Sequence, residues 1–445
     1  MILNLRSLPF YAALFFTLGL AACGSDDDKK PLEGDRISLF DLERSMTGTK
    51  DVAATVNGPD TGIDLPNVWR NEFWPQAGGY ANHAMQHVAL NSGELRKVWS
   101  SSIGAGSSKN LPLSVQPVMA DGRVFTLDTK ARVKAFDAAS GKSLWTAKVM
   151  PETEDDPVLG GGLAFSGGRL FVTAGFNEVL ALNPDSGDIL WRAKVPGAVR
   201  GAPSSMPGKV FVVTVDNQTL ALNAEDGKQE WTHQGLTETT GLLGAASPAA
   251  NRDIVLPAYS SGEIYALDVN TGSTLWSDSV APMTRSSGNF SDIRGLPVID
   301  RGTVVAISYA GRIAAIDERT GNRNWDAKFG GSQTPFASGN RVFIVTSDSA
   351  VVSLDMMSGK TLWSTQLDKY KNPEDLEGAI VWYGPVLAGD RLLLVSSIGT
   401  AVDIDPKTGS VIRSWKTGQN VVAPPSIAGE TLYLLSANGT LSAWK

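Results

Sequence analysis

The sequence predicts an all-β protein, an eight-bladed β-propeller of four-stranded antiparallel blades whose ring is closed by an N-terminal strand. Three observations lead there. Tryptophan recurs at 99, 145, 191, 231, 276, 325, 363 and 415, at intervals between 38 and 52 residues. Six of these close one phrase (glycine, three residues, tryptophan), from Gly141–Trp145 to Gly359–Trp363; Gly93–Trp99 and Gly409–Trp415 carry two extra residues. Eight pairs of short β-rich runs are set among the tryptophans and separated by turn residues, the signature of hairpins. A fixed period of this length marks a repeat architecture.

The chain begins with an address label. Arg6 precedes an apolar run, Phe10–Leu20, and Leu20-Ala21-Ala22 is a small-residue approach to cleavage. Residues 1–22 thus have the layout of a secretory signal peptide, with an apolar run too short to span a bilayer. The chain has one cysteine, Cys23, so no internal disulfide can form. Leu-Ala-Ala-Cys resembles the lipobox of bacterial lipoproteins, which implies a covalent lipid on Cys23. Several acyl chains on one residue make a stable tether, each buried methylene contributing about 0.8 kcal/mol. Gly24 stands where lipoproteins retained in the inner membrane carry aspartate, which implies sorting to the outer membrane.

Residues 23–90 show no repeat. Asn57-Gly58-Pro59-Asp60 and Gly78-Gly79 read as a lipid-attached tether draped over the domain, with Trp69 and Trp74 pinning it down.

Residues 91–445 carry the repeat. One unit runs through Val210–Val215, Asp216-Asn217, Thr219–Asn223, a turn at Gly227 and a strand at Gln229–Thr232. The eighth unit stops at Lys445, before its tryptophan strand, while Leu95–Ser100 stands unpartnered at the start. Placing that strand in the last blade closes the ring and leaves only short, protected edges. The tryptophans then pack between blades. Each indole buries roughly 150–250 Å², worth at most about 4–6 kcal/mol at ~25 cal/mol/Å².

Little points to catalysis or nucleic acid. The net charge of −7 argues against a nucleic-acid partner, which requires a basic face. His83 and His87 have the i, i+4 spacing of a metal pair, but the surrounding glycines oppose a helix and no third ligand is evident; His233 reads as a surface residue. No nucleophile elbow, P-loop or dinucleotide fingerprint occurs. Asp155-Asp156-Pro157 and Asp292-Ile293-Arg294-Gly295 enter innermost strands, on the face that also gathers the turns at Asp216-Asn217, Ser261-Gly262 and Asn438-Gly439. Polar loops converging at a channel mouth are a usual place for a partner, which makes Asp292 and Arg294 candidate contacts.

Ala266-Leu-Asp268-Val-Asn-Thr-Gly272-Ser-Thr-Leu-Trp276, with its counterparts at Ala135–Gly141 and Ala315–Gly321, resembles the repeat of pyrroloquinoline-quinone-type propellers. Two functional families share that repeat. Many quinoprotein dehydrogenases place an adjacent cysteine pair under the quinone, and a chain whose single cysteine is Cys23 has no such pair. The lipobox, tether and bare ring are similar instead to the BamB family, the lipoprotein component of the outer-membrane β-barrel assembly machinery. That resemblance implies a non-enzymatic scaffold without a cofactor, anchored to the outer membrane and facing the periplasm. It also implies binding to the machinery's central barrel subunit, with unfolded β-barrel clients as further partners. The family's contact segment, hydrophobic-Arg-Gly before an inner strand, falls on Val199-Arg200-Gly201, so Val199 and Arg200 carry over as partner contacts. Gly197 and Leu243-Gly244-Ala245 depart from the family pattern at a leucine and an acidic pair. A membrane-tethered quinoprotein dehydrogenase and a periplasmic peptide- or glycan-binding propeller remain the alternative readings.

Overall fold

The computed structural model describes residues 62–237, 246–281, 293–309 and 311–445. The signal peptide, Cys23, Asp292 and Leu243-Gly244-Ala245 lie outside the described residues.

Eight four-stranded antiparallel sheets form the propeller. We number the blades in chain order. Their first, innermost strands are Val118–Ala120, Gly162–Ser166, Ser204–Met206, Ala249–Ala250, Val298–Asp300, Phe336–Ser338, Trp382–Ala388 and Ser426–Ala428. The second and third strands of each blade are almost wholly buried, as in Arg391–Ser396 and Glu178–Leu182, while the outermost strands alternate towards solvent. Blade eight takes its fourth strand from Lys97–Ser102, which pairs antiparallel with Thr440–Trp444, Trp99 standing opposite Ala443.

The tryptophans join successive blades through one repeated contact. The Trp145 indole Nε1–H donates to the Pro184 carbonyl of the next blade at 2.9 Å, and Trp231 donates to Val269 at 3.1 Å. Trp276 and Trp325 reach Glu318 and Met356 in the same way. The accepting turn also explains the invariant glycine of the phrase. Gly272 has φ +71°, and a Cβ there would lie 2.5 Å from the ring of Trp231 in the preceding blade. So each glycine belongs functionally to the tryptophan one blade earlier, not to the one four residues later. Trp415 is the exception. Blade eight takes its fourth strand from Lys97–Ser102 and so has no glycine turn between its third and fourth strands. Trp415 donates to Asp403 of its own blade and packs on Trp444 at 5.5 Å.

The same turns carry acid-sensitive bonds. Ser140 donates both its hydroxyl and its backbone N–H to Asp137, and Thr320 does the same for Asp317. Those hydroxyl bonds hold both carboxyls below the usual range; at Asp268 the Thr271 backbone N–H does so first, then its hydroxyl. A depressed folded pKa contributes stability that is present above the unfolded value near 3.9 and is lost as pH falls through the folded value. Melting midpoints are therefore expected to hold above pH ~5 and fall below ~4. Replacing Asp137, Asp268 and Asp317 together by Asn, the residue already present at 183 and 223, should flatten that fall.

Residues 62–90 correct the expectation of a tether draped over the domain. Trp74, Met85 and Val88 are buried within the same apolar cluster as the blades. The segment passes along the ends of the innermost strands and meets the blades in ring order. Asn71 accepts from Gly429 N–H of blade eight, and Trp74 exchanges both backbone bonds with Met119 of blade one. Pro75 accepts from Phe165 of blade two, and the Gln76 amide brackets Ser205 of blade three. Ala81 accepts from Ala250 of blade four, and Asn82 from Ile299 of blade five. Gln86 accepts from Gly339 N–H of blade six, and Val88 bonds Leu387 and Gly389 of blade seven. The ends of this circuit then bond each other, Trp69 N–H to the His87 carbonyl and Ala89 N–H to the Trp69 carbonyl.

Candidate partner-binding face

Antiparallel order divides the loops of the propeller between two faces. Turns joining first to second and third to fourth strands lie at one end of each blade. Turns joining second to third strands, and the links to the next blade, lie at the other. Residues 62–90 occupy the first face. The candidate residues Arg200 and Arg294, and the pair Asp155 and Asp156, all sit on links between blades, on the second face.

The segment 195–203 is held from below. Val199 is fully buried among the apolar residues of blades two and three, including Phe171, Val195 and Val212, and its N–H donates to the Phe176 carbonyl at 3.0 Å. This corrects the expectation that Val199 contacts a partner: its side chain is an anchor for the loop and offers no surface. Arg200 follows it into solvent. The Arg200 carbonyl accepts from Gly161 N–H at 2.8 Å, which fixes the backbone, while its exposed guanidinium makes no hydrogen bond or ion pair among the described residues. A cation on a rigid stem, left without an internal partner, is suited to an external carboxylate in a bidentate fork.

Arg294 is also exposed, and Ile293 beside it is buried. Its charge is felt at Tyr383 of blade seven: burial raises that phenol and the Arg294 guanidinium opposes the rise. The two arginines share a face.

A feature of this face escaped the sequence reading. Between blades six and seven, Tyr370–Asn372 and Glu377–Ala379 form a separate two-stranded hairpin. Its tip exposes Glu374, Asp375 and Glu377 around Leu376, which is 66% exposed. The signal was available, because Trp363 to Trp415 is the longest interval in the chain. The face therefore offers cations at 200 and 294, carboxylates at 155, 156, 374, 375 and 377, and one apolar side chain at the hairpin tip.

The histidines take structural positions. His83 is fully buried, and burial lowers its imidazole to about 4, so the neutral ring donates Nδ1–H to the Pro297 carbonyl at 2.7 Å. His87 donates Nδ1–H to Pro66, and its Nε2 accepts from Asp390 N–H at 3.1 Å. His233, expected at the surface, is half-buried instead: it lies parallel to Tyr259 and bonds its hydroxyl at 2.9 Å. Among the described residues no group of three His, Cys, Asp or Glu side chains could hold a metal ion.

Comparison with known proteins gives one family. The family profile described as outer membrane protein assembly factor BamB matches residues 82–158, 129–365 and 347–445. BamB of Escherichia coli is 30% identical over 350 residues, covering 77% of this chain and 87% of its own. BamB of Xanthomonas campestris is 34% identical over 274 residues, 60% of this chain and 67% of its own. The crystal structure of BamB from Moraxella catarrhalis superposes with a TM-score of 0.68 at 21% identity, covering 79% of this chain and all of that one. A europium-containing methanol dehydrogenase superposes at 0.65 with 14% identity, covering 84% and 98%. At such identities the two structures attest the fold alone.

Proposed function

The chain belongs to the BamB family of outer membrane protein assembly factors, and we propose that it docks the machinery's central barrel subunit through the face carrying Arg200. Its role is that of a scaffold in outer-membrane β-barrel assembly, not of an enzyme. The observation that carries this reading is the extent of the family match, which runs from residue 82 to 445 and so takes in all eight blades. The quinoprotein alternative rests on fold likeness alone, and its cysteine pair is missing from a chain with Cys23 as its one cysteine.

In this reading Cys23 carries the lipid, the propeller faces the periplasm, and unfolded β-barrel clients pass close to the docked ring. Val199 holds the loop and Arg200 makes the contact, with Arg294 and the hairpin around Leu376 flanking it. Asp292 stays a candidate on the same link as Arg294. Loop residues on a rigid scaffold are a common carrier of such contacts, and truncating a central arginine typically costs an interface at least ~2 kcal/mol.

The test is an affinity pull-down from detergent-solubilised envelopes. The parent protein should recover a large β-barrel protein, and Arg200→Glu should lower that yield at least tenfold. Equal yields would move the interface elsewhere, and consistent absence of any barrel protein would sink the assembly reading. Cys23→Ala should shift the protein from the membrane fraction to the soluble periplasmic fraction, since the tether is then unlipidated.

A further inference from the structure

Residues 69–89 trace a closed loop inside the ring. They meet blades eight, one, two, three, four, five, six and seven in that order, and Trp69 and Ala89 then join the two ends. The contacts are backbone bonds to the innermost strands and first turns, plus the Gln76 and Gln86 amides, so each blade's inner edge receives a partner it would otherwise lack. Extended chain of this length spans at most about 65–75 Å at ~3.3–3.6 Å per residue, sufficient for a circle roughly 20 Å across. The loop also reaches inwards. Gly78 N–H donates to the Gln116 side chain, whose amide bonds the Pro425 carbonyl of blade eight. Gly78 and Gly79 have φ of +76° and +102°, and a Cβ on Gly79 would lie 2.1 Å from Met85 Sδ.

We propose that residues 69–89 are a built-in collar that seals one mouth of the propeller channel and ties the eight blades together. The channel then opens only towards the face carrying Arg200 and Arg294. The same N-terminal arm goes on to supply Lys97–Ser102 to blade eight, so one stretch of chain binds the ring at both its inner and its outer edge. The collar acts as an intramolecular form of strand addition: main-chain bonds give affinity, and the buried Trp74, Met85 and Val88 give register. Most of it precedes residue 82, where the family match begins.

A thiol placed under the collar tests this. Ser205 is 3% exposed and its backbone is held by Gln76; Ser353, in the third strand of blade six, is fully buried and away from the collar. In a Cys23→Ser background, Ser205→Cys should react with maleimide at least tenfold faster once Gly79→Val, whose side chain would clash with Met85 within the collar, disrupts the collar's packing on the blades. Ser353→Cys should stay protected in both backgrounds. Unchanged protection at 205 would overturn the proposal, and so would equal exposure at 205 and 353, which marks unfolding of the blades themselves. Cleavage at a protease site built into the exposed Asn91–Gly93 loop gives a second reading. The severed arm should remain bound through gel filtration; its loss with no change in melting midpoint would also overturn the collar.

Discussion

Gly272→Val is expected to destabilise the protein by about 2–5 kcal/mol, through two separable effects. The first is backbone strain, because a β-branched residue is forced into the left-handed region at a cost of about 1–2 kcal/mol. The second is overpacking: the new Cβ would lie 2.5 Å from the Trp231 ring, and such insertions cost about 1–3 kcal/mol. Gly302 separates them. It has φ +80° with no heavy atom within 4 Å of a built Cβ, so Gly302→Val should show the strain alone. The difference between the two variants in denaturant titrations measures the joint between blades three and four. Combining Gly272→Val with Trp231→Ala should recover the overpacking part, a coupling that a double-mutant cycle reads directly. Equal losses for Gly272→Val and Gly302→Val would show that the glycine serves its turn and not the neighbouring indole.

The pairing of glycine with tryptophan also marks how far the sequence could be read. Period and hairpin grammar made the blades legible, because the strand pairs of blades one to seven are local and announce their own turns, and only the closing pair of blade eight is non-local. What the phrase hid was its partner: Gly272 and Trp276 are four residues apart, yet the glycine makes room for Trp231, forty-one positions before it. Contacts between blades leave no trace in local spacing. The same limit explains Val199. The resemblance paired it with Arg200 as a contact, but only the packing against Phe171 and Val212 shows that one side chain points down and the other out. The collar was the least legible part. Its bonds run from an irregular segment to eight different blades, and backbone pairing of this kind requires no periodic pattern, so glycines and scattered polar residues read as a tether. Trp69 and Trp74 were the clues, aromatics expected as pins: Trp74 is 2% exposed, and the half-buried Trp69 donates its indole N–H to the Met85 carbonyl.

Trp99→Ala is expected to cost about 3–5 kcal/mol and, unlike the other joint mutations, to change how the ring opens. In a repeat protein stability is close to a sum of units and nearest-neighbour interfaces. Blades one to seven are each joined to the next by covalent chain as well as by an indole, so a weakened joint there still holds its neighbours at high local concentration. Blade eight meets blade one differently. Its fourth strand, Lys97–Ser102, is bonded to Thr440–Trp444 without a connecting turn, and Trp99 supplies the contact across the joint. The indole donates to the Ala138 carbonyl at 3.1 Å and leans on Tyr433 at 5.9 Å, while Ser101 Oγ donates to Gly141 at 2.6 Å. Hydrogen exchange of Trp99→Ala should show 97–102 and 440–444 losing protection before any other strands. Trp415→Ala should not reproduce this order, because that indole bonds Asp403 within its own blade and blades seven and eight stay covalently linked. If both variants lose protection evenly around the ring, the noncovalent strand pair is not its weakest point, and the inner collar carries the closure in its place.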